Sequence, residues 1–125
     1  MYLQSNIGET GQKAEMRSQN FKISQEACFT FWYHMNGSTM GSLNVYLKAD
    51  KDLINTWNVT GDQGDTWHRT ALNIDAQEKL VIIFEGIHGN GSNSDIALDD
   101  IMLTPGTCAG NCFYFKPKFM AIDVK

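Results

Sequence analysis

This chain is poor in several things, and each shortage excludes a class. Its 125 residues hold 10 Lys and Arg, scattered with no basic stripe, and the formal net charge is −4. A nucleic-acid surface needs clustered positive charge to replace phosphate counterions, so that partner is excluded. No apolar run approaches the roughly 18 residues of a membrane span. The opening "MYLQSNIGET" has neither a charged start nor an apolar core, so no signal peptide is read there. The three cysteines, Cys28, Cys108 and Cys112, make no CxxC pair. Cys108 and Cys112 have no matching Cys/His pair elsewhere, so a zinc site is not expected. There is no GxSxG turn for a nucleophile, and "GDQGD" (61–65) lacks the order of a calcium loop, leaving Asp62 and Asp65 to turn chemistry. Linkers, repeats and low-complexity tracts are missing as well.

What remains is strand-like. "LNVYLK" (43–48) alternates Leu43, Val45 and Leu47 with Asn44, Tyr46 and Lys48, the mark of a half-buried strand. "CFTFWYHM" (28–35) carries large apolar side chains on both faces, as a strand inside a sandwich does. "KLVIIFEGI" (79–87) is rich in β-branched residues, and "DIALDDIML" (95–103) closes the series. Eleven glycines against two prolines cluster between these runs. "NGSTMG" (36–41) reads as a hairpin between two of them, and "TGDQGD" (60–65) as another, between "LINTWNV" and "TWHRTALNI". No sustained 3.6-residue period is present. The reading is an all-β sandwich of seven or eight strands in one domain.

Asp99 and Asp100 interrupt the last of these strands. Ile96 and Leu98 share one parity, Ile101 and Leu103 the other. Side chains alternate with period 2, so a regular strand cannot send all four to one core. The phase slips by one residue, which places a β-bulge on the two aspartates. Their first role is therefore structural, with one carboxylate accepting backbone N–H bonds. A cation comes second, because hard ions favour carboxylate oxygens. Acid–base catalysis comes last. His34 reads as a core or face residue. Trp32, Trp57 and Trp67 either fill the core or form a platform for stacking on sugars. Sequons at Asn36, Asn58 and Asn90 fall in Gly-rich or polar connections and are expected to carry N-glycans in a secretory pathway.

The segments "CFTFWYHMNGSTMGSLNVYL", "GDQGDTWHRTALNI", "IIFEGIHGNGSNSDIALDDI" and "GTC" follow one another in an order that resembles the MAM domain, a module of meprins, neuropilins and receptor tyrosine phosphatases of the mu group. The resemblance implies a jelly-roll β-sandwich of two antiparallel sheets over residues 1–108, lacking its N-terminal part, with 109–125 an unassigned tail. It implies a non-catalytic adhesion or oligomerisation module, extracellular or in the ectodomain of a larger membrane-bound or secreted protein. The partner is a protein or a second copy. The alternative is a lectin-like, carbohydrate- or ligand-binding sandwich. In this frame Cys28 and Cys108 are expected to form a disulfide, with Cys112 left odd. No cofactor is expected. Calcium would meet only half a site at Asp99 and Asp100, and would bind only with the missing N-terminal segment restored.

Overall fold

The structure, a computed structural model, describes residues 2–3, 13–91, 95–109 and 119–124. These form ten strands and no helix. In chain order they are β1 (Tyr2–Leu3), β2 (Lys13–Ser18), β3 (Phe21–Ile23), β4 (Ala27–Asn36) and β5 (Ser42–Ala49). Then come β6 (Asp52–Thr60), β7 (His68–Ile74), β8 (Gln77–Ile87), β9 (Asp95–Pro105) and β10 (Phe119–Val124). One sheet has the order β1-β9-β4-β7. The other runs β10-β2-β8-β5-β6, with β3 also paired to β8. Pairing is antiparallel throughout, and the two sheets stack as a jelly-roll β-sandwich.

The core follows from alternation. β4 turns Phe29, Phe31, Tyr33 and Met35 inward, and they meet Leu43 and Val45 of β5 and Leu80, Ile82 and Phe84 of β8. Phe31 and Phe84 meet edge to face with centroids 5.0 Å apart, and Trp57 of β6 meets Phe31 in the same way at 5.3 Å. Such edge-on contacts align ring edges with electron-rich faces and add about 0.5–1.5 kcal/mol each beyond the area buried. β8 is continuous, but its partner changes from β2 to β3 near Leu80. The Ser18 hydroxyl fills that gap. It accepts the Ile82 N–H at 2.9 Å, so the buried amide is not left unpaired.

Both hairpins expected from the turn signals are corrected. β4 lies in the four-stranded sheet and β5 in the other, so residues 37–41 cross the sandwich. The same holds for residues 61–67, between β6 and β7. A connection of this length spans the roughly 10 Å between stacked sheets, whereas a hairpin needs only two to five residues. The hairpin in this region is β5–β6, where Ala49 faces Asp52 and Asp50 takes the left-handed conformation at φ 56°. Glycine matters most where two connections touch. A Cβ on Gly41 would collide with the Ile87 carbonyl, and one on Gly89 with that of Thr39. Those obstacles are backbone, which has little room to retreat.

The bulge in β9 is present. Thr30 faces Met102 and Trp32 faces Asp99, so β9 holds one residue more than β4 over this stretch. Asp100 absorbs the excess at φ 53°. Ile96 and Leu98 before it, and Leu103 after it, are all buried. The tail left unassigned in the sequence contributes β10, which pairs with β2.

Candidate functional site

The outer face of the four-stranded sheet concentrates the chemistry that the core does not use. β4 is one of its two inner strands, held on both sides, and its even-numbered residues point away from the core. Trp32 therefore stands between Arg69 of β7 and Asp99 of β9. His34 faces Ala97 on the β9 side. The indole of Trp67, just before β7, lies 5.4 Å from the His34 ring. Trp32 is 36% exposed and Trp67 43%, among the few large apolar side chains left open to solvent. The even-numbered face of "CFTFWYHM" is buried at Cys28 and Thr30 but opens to solvent at Trp32, which corrects the expectation of apolar packing along both faces. Trp57 parts company with the other two tryptophans and packs against Phe31 and Tyr33.

The crossing loop 61–67 steadies this face. The Gln63 N–H donates to the Met35 carbonyl at 2.7 Å, and the Gly61 N–H to that of Gly41 at 2.9 Å. Asp62 Oδ1 accepts the Gly64 N–H at 2.9 Å and the Gly37 N–H at 3.3 Å. These two bonds hold the Asp62 carboxyl below its ordinary value, the Gly64 bond contributing most. The same loop brings Asp65 Oδ1 within 3.0 Å of His34 Nε2. His68 Nε2 lies 2.8 Å from the Gln63 carbonyl while its ring stacks on Tyr33. "GDQGD" thus acts as a turn that pins His34 beside Trp67. His34 is a face residue, as one of its two readings had it.

Asp99 and Asp100 are both exposed. Asp99 Oδ1 accepts the Asp100 N–H at 2.8 Å, the backbone bond anticipated at the bulge. Among the described residues no three His, Cys, Asp or Glu converge on a common point. Cys28 and Cys108 are joined by a disulfide with Cα atoms 4.7 Å apart. The Cys108 N–H also donates to Asn73 Oδ1 at 2.9 Å, fastening the segment after β9 to β7. Cys112 lies outside the described residues.

The three sequon asparagines are all exposed. Asn36 ends β4 and Asn90 follows β8, but Asn58 sits within β6, so it is not in a connection.

Sequence reasoning passed over the face as a unit. Trp32 and Arg69 are far apart in the chain, and their meeting depends on the β4–β7 register. The exposed even positions of β4 were the available signal.

A second polar cluster lies on the outer face of the six-stranded sheet. Glu85 of β8 faces Glu15 of β2 on one side and Asn44 of β5 on the other. Glu85 is only 7% exposed. Its Oε1 accepts from Asn44 Nδ2 at 3.0 Å and from the Tyr46 hydroxyl at 3.2 Å, while Lys13 Nζ is 3.7 Å from Oε2. Arg17 Nη2 pairs with Glu15 at 2.9 Å. The like charges of Glu15 and Glu85 are thereby each given a cation. Burial raises the Tyr46 phenol above its ordinary value, and the neighbouring Glu85 charge adds to that.

Comparison with known proteins gives one consistent result. The family model "MAM domain, meprin/A5/mu" matches residues 1–109. The chain is 38% identical over 113 residues to "MAM domain-containing protein 2" of Mus musculus, covering 88% of this chain and 16% of that protein. It is 35% identical to "Thyroid hormone-induced protein B" of Xenopus laevis, with 86% and 16% covered. It is 38% identical to "MAM domain-containing glycosylphosphatidylinositol anchor protein 2" of Mus musculus, with 79% and 12% covered. The chain thus spans 12–16% of the length of these relatives. A solved structure described as "CBM4 structure and function" superposes with a TM-score of 0.52 at 7% identity, over 82% of this chain and 79% of that one. At that identity the likeness supports the β-sandwich fold alone.

Proposed function

Because this chain belongs to the MAM family, we propose that it is a non-catalytic extracellular adhesion module of a larger secreted or membrane-bound protein, and that it holds a protein partner on the outer face of its four-stranded sheet. The observation that carries the reading is the exposure of Trp32 and Trp67 on a face that also presents His34 and Arg69. Tryptophan and arginine dominate binding hot spots, because each offers a large rigid surface with a polar handle. Trp32 stands on β4, a strand hydrogen-bonded on both sides, so little ordering is needed there on binding. The extracellular setting is supported by relatives named for a glycosylphosphatidylinositol anchor and by the disulfide, which persists in oxidising compartments. Exposed Asn36, Asn58 and Asn90 are proposed as N-glycan acceptors.

The test presents the disulfide-intact chain on beads to a panel of cell-surface ectodomains. Trp32→Ala with Trp67→Ala should abolish capture while the thermal midpoint stays put. Capture that survives the double substitution would remove this face from the proposal. A second reading, saccharide binding, is favoured by Trp32 lying between Arg69 and Asp99, since an indole stacks on a sugar ring while flanking charges bond its hydroxyls. Saturable binding on a glycan array, lost with Trp32→Ala, would select it.

A further inference from the structure

Strand β6 ends the six-stranded sheet, with β5 on one side and no strand on the other among the described residues. Such an edge offers a row of backbone N–H and C=O groups to any extended segment. Proteins usually guard it with lysine, proline or a bulge. β6 is guarded at one point. Val45 faces Trp57 and Tyr46 faces Asn55, which makes Thr56 the extra residue of a bulge. Before it the strand runs regularly, with Leu53 opposite Lys48 and Ile54 opposite Leu47. Leu53, Ile54 and Asn55 carry neither charge nor proline. Leu53 is 58% exposed and Ile54 55%, and adjacent residues of a strand point to opposite faces. The open edge therefore has apolar cover on both sides.

We propose that β6 pairs edge to edge with β6 of a second copy of this chain, antiparallel, about a two-fold axis at Ile54. A two-fold contact must be self-complementary, each residue meeting the partner's counterpart in reverse order. Residues facing one another must also point to the same side of the joined sheet. Centring on Ile54 satisfies both conditions. Ile54 meets its own copy, Leu53 meets Asn55, and Asp52 meets neutral Thr56. Centring on Leu53 would instead set Asp52 against Ile54. A charged peptide is a poorer occupant, since residues 53–55 offer it no counter-charge. The contact is short and falls below the roughly 1,200 Å2 at which specific interfaces begin, so one pairing is weak. It gains strength when many copies are held on one surface, by effective concentration. The inference deepens the adhesion reading and rests on it only for that crowded setting.

The experiment is sedimentation velocity on the disulfide-intact chain over a concentration series. A Cys112→Ser background keeps a cysteine-linked dimer from being mistaken for strand pairing. A reversible monomer–dimer equilibrium is expected, weakened at least about tenfold by Leu53→Lys with Ile54→Lys, since like charges would then face one another. Both side chains are exposed, so an unchanged thermal midpoint verifies the fold. Hydrogen exchange on the parent chain gives an independent reading. Those amides of the 53–55 stretch that point away from β5 should slow as concentration rises, since neighbouring amides of a strand face opposite sides. Mild oxidation should link Ile54→Cys into a dimer faster than Val59→Cys. A monomer at every concentration overturns the proposal. So does a dimer indifferent to the lysines, exchange slowing confined to other strands, or equal cross-linking at both positions. The Trp32 and Trp67 variants should leave this dimer intact, which separates its failure from failure of the partner face.

Discussion

On the outer face of the six-stranded sheet a carboxylate, Glu85, is 7% exposed, while on the outer face of the four-stranded sheet two indoles, Trp32 and Trp67, are 36% and 43% exposed. Residue polarity alone would predict the reverse. The difference lies in the neighbours. Glu85 has Asn44, Tyr46 and Lys13 reaching over it, and each brings a donor. Ile83, beside it in β8, is buried yet stands outside the core cluster, with Arg17 and Tyr46 as cross-strand neighbours. Trp32 has Arg69 and Asp99 as neighbours, and both are exposed. One face is sealed by its own side chains. The other keeps apolar surface in contact with water, a standing cost that a binding face recovers on association.

The contrast can be broken or sharpened by experiment. The largest effect is expected at the disulfide, which closes the end of the open face. Cys28→Ala with Cys108→Ala releases a loop with a sequence separation of 80. The chain-entropy model puts the loss at about 4 kcal/mol, measurable by urea denaturation. Next comes the sealed face. Glu85→Ala leaves Asn44 and Tyr46 without their acceptor and should cost about 1–3 kcal/mol, while Glu85→Gln should cost less because an acceptor oxygen remains. A smaller effect concerns alkali. The Tyr46 phenol is raised by burial, then by the Glu85 charge and by the bond it donates to Glu85. A folded value above the unfolded one favours the neutral phenol in the folded state. Its contribution is therefore whole below about pH 10 and is lost as pH rises through the raised value. Tyr46→Phe should flatten the thermal midpoint over that alkaline range, and an unchanged slope would contradict the assignment. The smallest stability change, within about 0.5 kcal/mol, is expected for Trp32→Ala, even though partner capture should disappear.

Much of this could be read from the chain before its fold, for reasons that differ by element. β5 and β9 announced themselves by period 2, because each has one face in the core and one outside it. The bulge followed from counting parity across Asp99 and Asp100, since a slip in phase has few other remedies in a strand. The pairing of β4 was different. Turn residues mark where the chain bends, but they do not say which sheet it bends toward. Residues 37–41 and 61–67 therefore looked like hairpins and proved to be crossings. β10 gave no usable signal, and its place beside β2 depends on long-range register. The meeting of Trp32 with Arg69 and Asp99 was hidden for the same reason. Each residue was visible alone, and only three-strand pairing made them neighbours.

The bond between Cys28 and Cys108 has a mechanical consequence for a chain pulled from both ends. Tension entering the chain ahead of Cys28 and leaving after Cys108 passes through the sulfurs and bypasses β4 to β9. Those strands form a closed ring that cannot be drawn out. With a sequence separation of 80, the bond withholds roughly 270 Å of extensible chain. Under load β1, β2, β3 and β10 can peel away, while the ring carrying Trp32, Trp67 and the β6 edge cannot be extended. In a reducing medium the same pull would unravel the ring as well.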